Sequence, residues 1–120
     1  MAIDFAIEDR RIDSATHVVE VTGEVDLFTA PEFKQRVMAP IAAGSEHVVV
    51  DLTRTTFIDS SSLGVLIGAH RAPSCGGGRL VVACDNEGIV KTFRITGLDS
   101  VFTVASSVER ALEGRTLEAA

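Results

Sequence analysis

One stretch of the chain, residues 48–71, constrains the fold more than any other, because its pattern predicts a strand, a connection and a helix in direct succession. Val48, Val49 and Val50 are three consecutive β-branched residues. Such a run is typical of a strand that is buried on both faces of a sheet. We expect this strand to end at Asp51, and the chain around it to form a layered domain of strands and helices.

The second half of this stretch predicts an amphipathic helix. Leu63, Leu66, Ile67 and His70 are spaced so that they share one helix face. The run Asp59–Ser62 stands just before them, where side-chain oxygens can accept hydrogen bonds from N–H groups that have no helical partner. One cap is enough, so at least one of the three serine hydroxyls should face solvent at the positive end of the helix dipole, a position that tolerates an added phosphate.

The N-terminal part of the chain predicts a hairpin. Ile3, Phe5 and Ile7 alternate with other residues in the period of a half-buried strand, and Val18–Val21 give a second strand. The connection between them is too short for a crossover, so the pair should be antiparallel. Residues 23–28 then predict a loop.

A helix should follow that loop. Residues 29–32 have the Ser/Thr-x-x-Glu pattern of a capping box, which predicts a helix start. Pro40 should stop the regular helix near Met38 or kink it, and Gly44 should close the segment.

In the helix after the central motif, Gly64 and Gly68 lie one turn apart and predict a close approach to the sheet or to a neighbouring helix. Pro73 should end this helix. Residues 74–78 then predict a flexible connection to a strand at Leu80–Ala83.

The last third of the chain continues the alternation. Asp85 or Asn86 can cap a helix that stops at Gly97, Val101–Val104 predict a short strand, and residues 106–109 predict a second capping box before a last helix. Helices alternating with strands predict an α/β domain with a largely parallel sheet and an added opening hairpin.

Several segments together resemble the anti-sigma factor antagonists, a bacterial STAS-domain family. The family signature is similar to Asp51-Leu52-Thr53 followed by Phe57-Ile58-Asp59-Ser60-Ser61 and Leu63-Gly64. Further similar segments follow the family's order along nearly the whole chain: Gly23-Glu24-Val25-Asp26, Thr29-Ala30-Pro31-Glu32, Gly77 to Val82, Thr96-Gly97-Leu98 and Val101-Phe102. The resemblance implies a single STAS-like domain with a mixed, mostly parallel sheet and about four helices packed mainly on one face.

The resemblance also implies a set of site residues. Ser61, the second serine of the Asp-Ser-Ser run, corresponds to the phosphorylated residue of the family. The family usually has glycine where this chain has Ser62, so Ser60 and Ser62 stay alternative acceptors. The family's aspartate at the position of Asp26 lies near the acceptor and takes part in kinase recognition, so we expect Asp26 and Asp59 to form a partner-binding surface with the three serines. No nucleophile-activating histidine occurs at motif spacing, so we expect no catalytic residues.

By resemblance, the dephosphorylated protein binds an anti-sigma factor serine kinase and frees a sigma factor, and phosphorylation of Ser61 ends that interaction. A phosphatase is a second candidate partner. One alternative is a non-phosphorylated STAS scaffold or a subunit of a stress or transport complex, in which the serines act only as helix caps. A response-regulator receiver would need an acidic pair after its first strand and a lysine near its last one, and the sequence lacks both.

Composition agrees with a protein-binding module. The chain has 120 residues, enough for one core, and we expect a domain over residues 1–113 and a frayed tail over 114–120. No stretch reaches the roughly 18 apolar residues of a membrane helix, so we expect a cytoplasmic protein without membrane contact, monomeric or weakly dimeric. The net charge is −6, the basic residues are scattered, and Trp and Tyr are absent, which argues against nucleic-acid binding.

The cysteines and histidines predict no cofactor or metal site. Cys75 and Cys84 should be free thiols in a cytosolic protein, although a redox switch that joins them is an alternative. His17, His47 and His70 are far apart in sequence and lack Cys or carboxylate partners at ligand spacing.

Overall fold

The computed structural model describes residues 4–71 and 79–113, and over these residues the chain forms five strands, four α-helices and a short 3₁₀-helix. In chain order they are β1 (Ala6–Arg11), β2 (Thr16–Val25), α1 (Ala30–Ala42), β3 (His47–Ile58), α2 (Ser60–His70), β4 (Arg79–Ala83), α3 (Glu87–Thr96), the 3₁₀-helix (Leu98–Ser100), β5 (Thr103–Ala105) and α4 (Val108–Glu113).

The strands form one sheet in the order β1-β2-β3-β4-β5. β1 and β2 are antiparallel, and each later pair is parallel. The predicted opening hairpin and mostly parallel sheet are therefore confirmed. The parallel strands β2 to β5 run in one direction, so their C-terminal ends point to the same side of the sheet, which we call the carboxyl edge.

Helices cover the two faces of the sheet unequally. α1, α2 and α3 pack on one face, where Val48 and Val50 of β3 point, and α4 packs on the other face against Val49. The central valines are thus buried on both faces, as predicted. The larger core takes its bulk from three helices, with the side chains Phe33, Val37, Ile41, Leu66, Ile89 and Phe93. The expectation that the helices lie mainly on one face is confirmed.

β3 is longer than predicted. We expected it to end at Asp51, but it continues to Ile58. From Asp51 to Arg54 the pairing with β2 shifts by one residue, so β3 contains a bulge. The Asp51 carboxylate accepts hydrogen bonds from the Thr53 N–H at 3.0 Å and from the Thr53 hydroxyl at 2.6 Å. Asp51, which we expected to mark the end of the strand, instead accepts a backbone N–H inside the bulge.

β2 also extends further than predicted. The segment Gly23–Val25, which we placed in a loop, is its last part. Gly23 has a φ of 90°, and a second shift in the β2–β3 pairing follows it. A glycine that tolerates this left-handed backbone lets the strand continue through the irregularity. The loop between β2 and α1 is therefore reduced to residues 26–29.

The proline in α1 does not stop the helix. α1 runs through Pro40 to Ala42, so the expected end near Met38 is wrong. Proline this close to a helix C-terminus leaves only one or two residues of helix beyond it, and its ring is buried in the core. Gly44 closes the segment as predicted, with a φ of 95° and an N–H that donates to the Ile41 carbonyl.

The start and end of α3 follow the sequence pattern. Asn86, one of the two predicted caps, accepts hydrogen bonds through Oδ1 from the Gly88 N–H at 2.9 Å and the Ile89 N–H at 3.3 Å. Gly97 ends the helix with a φ of 77°. Both features agree with the preferences of helix termini.

β5 and α4 begin later than predicted. Val101 still belongs to the turn after α3, because its N–H donates to the Leu98 carbonyl, and β5 covers Thr103–Ala105 instead of 101–104. Ser107 accepts from the Arg110 N–H at 3.1 Å, so it caps α4 where the sequence pattern favoured Ser106.

Some predictions concern residues outside the described part of the chain. These are Ile3, Pro73, the 74–78 connection with Cys75, and the 114–120 tail. Cys84 is a free, buried thiol, and burial raises its pKa. Within residues 4–71 and 79–113, no group of three His, Cys, Asp or Glu side chains could hold a metal ion. The helices described there are too short or too polar to cross a membrane.

Candidate functional site

The site lies at the carboxyl edge of the sheet, where β2 and β3 end together. Val25 and Ile58 are paired in the sheet, and each is the last residue of its strand. The next residues, Asp26 and Asp59, therefore leave the sheet from adjacent positions. The fold thus brings together the start of the β2–α1 loop and the start of α2, which are more than 30 residues apart in sequence.

Two residues of the acidic and hydroxyl run form the cap of α2. Asp59 has an extended backbone, and its Oδ1 accepts the Ser62 N–H at 3.2 Å. Ser62 is fully buried, and its hydroxyl donates to the Val25 carbonyl oxygen at 2.8 Å. Asp59 and Ser62 therefore complete the helix start and fasten it to the end of β2.

The other two serines of the run are available to solvent. Ser60 is exposed and Ser61 is half-buried. Within the described residues, neither hydroxyl makes a hydrogen bond. The expectation that at least one hydroxyl faces solvent is confirmed, and it applies to the two serines that the cap does not use.

Ser61 lines a groove between α1 and α2 with a volume of about 520 Å³. The groove also contains Lys34 and Met38 on the α1 side, and Gly64 and Gly68 on the α2 side. The predicted close packing at the two glycines is wrong, because both are exposed and an added Cβ would meet no atom within 4 Å. The missing side chains leave the groove open and do not bring two elements together.

α2 is rotated relative to the face predicted from its apolar residues. Its buried residues are Ser62, Leu66 and Ala69, while Leu63 and Ile67 are only partly buried. His70, which we placed on the buried face, is exposed, with its ring edge-on to Phe102. Ser62, Leu66 and Ala69 form the buried face of α2, and this rotation leaves Ser61 on the side of the groove.

Asp26 organises the β2–α1 loop. Its Oδ1 accepts hydrogen bonds from the Phe28 N–H at 2.9 Å and the Thr29 N–H at 3.1 Å. The Asp26 N–H donates to the Thr29 hydroxyl oxygen at 2.9 Å. The predicted capping box is therefore wrong, because the Thr29 side chain bonds to Asp26 and makes no cap bond to α1.

This loop presents two large apolar side chains that sequence reasoning missed. Leu27 is 68% exposed and Phe28 is 90% exposed. Phe57, near the end of β3, is 48% exposed. The sequence feature that could have indicated them is the apolar pair Leu27-Phe28 between Asp26 and Thr29. In a short polar loop, such a pair belongs to no helix or strand face that would be buried. Glu24 and Glu32, on either side of the loop in sequence, are also exposed, so the surroundings are acidic.

Comparisons with known proteins agree with this architecture. The STAS domain family model matches residues 6–111. The anti-sigma-B factor antagonist of Listeria monocytogenes is 30% identical over 115 residues, which cover 95% of this chain and 97% of that protein.

Solved structures give the same result. The crystal structure of an anti-sigma factor antagonist from Mycobacterium paratuberculosis superposes with a TM-score of 0.83 and 25% identity, over 92% of each chain. The Bacillus cell fate determinant SpoIIAA in its phosphorylated form superposes with a TM-score of 0.70 over 92% of this chain and all of that one, and its 22% identity shows the fold alone. This chain belongs to the STAS-domain family and, within it, to the anti-sigma factor antagonists.

Proposed function

We propose that the dephosphorylated protein binds an anti-sigma factor serine kinase, so that the kinase releases a sigma factor, and that phosphorylation of Ser61 by the same kinase ends the interaction. The kinase supplies the base, the metal and ATP. This protein supplies the acceptor hydroxyl and the docking surface around it. Its own role is therefore regulatory and not catalytic.

One observation supports this proposal above the others, namely the position of Ser61 in the first turn of the 11-residue helix α2. Its hydroxyl is partly exposed and is not needed for the cap, which Asp59 and Ser62 complete. A phosphate added at this point gains from the positive end of the helix dipole. The domain can thus accept the modification without losing the bonds that hold α2.

The same phosphate would disrupt a protein interface. A phosphoserine adds about −1.5 to −2 charges at neutral pH. A partner packed over Ser61 would bury this charge beside Asp26 and Asp59, so the complex would bear the desolvation of a dianion and its repulsion from these two carboxylates. Lys34, across the groove on α1, offers the phosphate an intramolecular cation. Both effects favour the free phosphorylated protein over the complex.

The three serines differ as acceptors. Ser62 has no exposed surface and its hydroxyl is bonded to Val25, so a kinase could reach it only after the start of α2 had opened. The same burial argues against direct contact between Ser62 and a partner. Ser60 is exposed and stays an alternative acceptor. We favour Ser61 because it also faces the groove.

The proposal is tested by binding of variants to purified anti-sigma kinases from the source genome. Ser61→Ala should bind its kinase constitutively, and Ser61→Asp should bind at least about tenfold more weakly, because the added charge stays in the interface. Ser60→Ala removes the alternative acceptor, and with Ser61 as the acceptor this variant should still be phosphorylated and bind like wild type. Equal affinity of Ser61→Ala and Ser61→Asp would contradict the mechanism and favour a scaffold role.

A further inference from the structure

The β2–α1 loop, which begins beside the start of α2, exposes two large apolar side chains. Phe28 is 90% exposed and Leu27 is 68% exposed. We propose that Leu27 and Phe28 form an apolar docking element that inserts into the anti-sigma kinase, and that Asp26 acts as the positioning residue that holds this element. The inference rests on the proposed function and names Leu27 and Phe28 as the residues that anchor this protein to its kinase.

The loop is held in place by its own hydrogen bonds. Asp26 accepts two backbone N–H groups, from Phe28 and Thr29, and its own N–H is bonded to the Thr29 hydroxyl. The Ala30 N–H donates to the Asp26 carbonyl at 2.8 Å, which joins the loop to the first turn of α1. A preorganised element loses little conformational entropy on binding, so exposed aromatic surface on it can contribute most of its burial energy to affinity.

The charge around the element indicates the kind of partner surface. Glu24 and Glu32 are exposed on either side of the loop in sequence, and Asp59 lies at the neighbouring helix start. An apolar anchor with an acidic surround fits an apolar pocket with a basic rim. A kinase that binds the Ser61 hydroxyl would place such a pocket over the loop, because β2 and β3 end side by side.

This arrangement gives Asp26 an indirect role. Its Oδ1 is used inside the turn, where the oxygen and not the negative charge is required. Asparagine offers the same acceptor oxygen and suits the same turn, whereas alanine removes it. If Asp26 instead contacted the kinase through its charge, Asp26→Asn would by itself cause a large loss of affinity, although it keeps the acceptor oxygen of the turn.

The first experiment measures docking. The Leu27→Ala/Phe28→Ala double variant should bind the cognate anti-sigma kinase about tenfold or more weakly by calorimetry, as expected for an interface anchor. It should raise the KM for phosphorylation of Ser61 and leave kcat within about twofold, because the acceptor itself is untouched. Ile95→Ala is the matched control, since Ile95 on α3 is 73% exposed and lines a different groove. Wild-type affinity of the double variant, or an equal loss in Ile95→Ala, overturns the docking element.

The second experiment separates positioning from direct contact. Asp26→Asn should bind within about threefold of wild type, and Asp26→Ala should lose about as much affinity as the double variant. Thermal unfolding of each variant verifies that the domain is folded. An equal loss in Asp26→Asn and Asp26→Ala overturns the positioning role.

The wild-type reference distinguishes this inference from the proposed function. If the kinase binds and phosphorylates wild type but the double variant is unaffected, only the docking element is wrong. If purified anti-sigma kinases of the source genome neither bind nor phosphorylate wild type, the proposed function fails and the docking element fails with it.

Discussion

Adjacent serines with the same chemistry have different surroundings in this protein. Ser62 is a structural residue, because it is buried and its hydroxyl reaches the last residue of β2. Ser61, one position earlier, lines the α1–α2 groove, and Ser60 is exposed. The rotation of α2 decides which hydroxyl is bonded within the fold and which hydroxyls stay accessible.

At this scale the first prediction concerns Ser62. Ser62→Ala removes a buried hydrogen bond to the Val25 carbonyl and should lower the free energy of unfolding by about 1–3 kcal/mol. Ser60→Ala removes an exposed hydroxyl and should change it by no more than about 0.5 kcal/mol. Urea unfolding of both variants measures the difference. Equal stability of the two would mean that the Ser62 hydroxyl does not hold α2.

The sequence predicted Asp59 and the serines as a helix start, but it could not distinguish the serines from one another. Their difference depends on how α2 packs on the sheet, with Ser62, Leu66 and Ala69 on its buried face. Asp26 was implicated by resemblance, whereas Phe28 was missed because its exposure depends on the hydrogen bonds of the turn. The packing of a helix and the exposure of a loop side chain depend on the folded structure, so the spacing of apolar residues in the sequence does not predict them.

At the scale of elements, strands and helices were easier to predict than their limits. The valines at 48–50 and the alternation of elements predicted the layered sheet. The end of β3 was misplaced because the Asp51 side chain bonds within a bulge, and the end of α1 because Pro40 lies so near the helix terminus. In both cases a residue type that often ends an element was weighed by itself, whereas Asp51 lies in a strand paired with β2 and Pro40 is buried within α1.

The α2 glycines give a prediction at this scale. Gly64→Ala and Gly68→Ala should each raise the free energy of unfolding by about 0.5–1 kcal/mol, because both positions are helical and open. Gly97→Ala is the contrast, since space is also open there but the φ of 77° disfavours a side chain, so this variant should be destabilised. Thermal unfolding of the three variants measures the changes. If Gly64→Ala and Gly68→Ala were destabilised, the space beside these glycines would not be open, and the close packing first predicted from the sequence would be correct.

At the scale of the whole molecule, one cluster connects the opening hairpin to α1. Asp9 on β1 lies 3.2 Å from His17 Nε2 on β2 and 3.0 Å from an Arg36 guanidinium nitrogen on α1. The hydrogen bond from His17, followed by the hydrogen bond and charge of Arg36, lowers the pKa of Asp9 below its ordinary value of 3.8, although partial burial opposes this. The ionised carboxylate therefore contributes to stability.

The sign of the pH dependence follows from that lowered pKa. The contribution of Asp9 should be fully present above pH 3.8, the ordinary value, and be lost as the pH falls through the lower pKa of the folded state. Asp9→Asn should be less stable than wild type at pH 5 by about 0.2–1 kcal/mol, the range of exposed ion pairs, and the two proteins should converge at lower pH. Urea unfolding between pH 2 and 6 measures this, and a difference that grows on acidification would contradict it.

The whole molecule is an acidic domain, and we propose that its acceptor is Ser61 in the first turn of α2. Binding before and after phosphorylation tests this account most directly. The unphosphorylated protein and the product of the kinase reaction, mapped by fragment mass spectrometry, would be titrated against the same anti-sigma kinase. We predict one phosphate, located on Ser61, and an affinity lower by at least about tenfold. A phosphate on another residue, or a Ser61-phosphorylated protein that binds as tightly as the unphosphorylated one, would contradict the account.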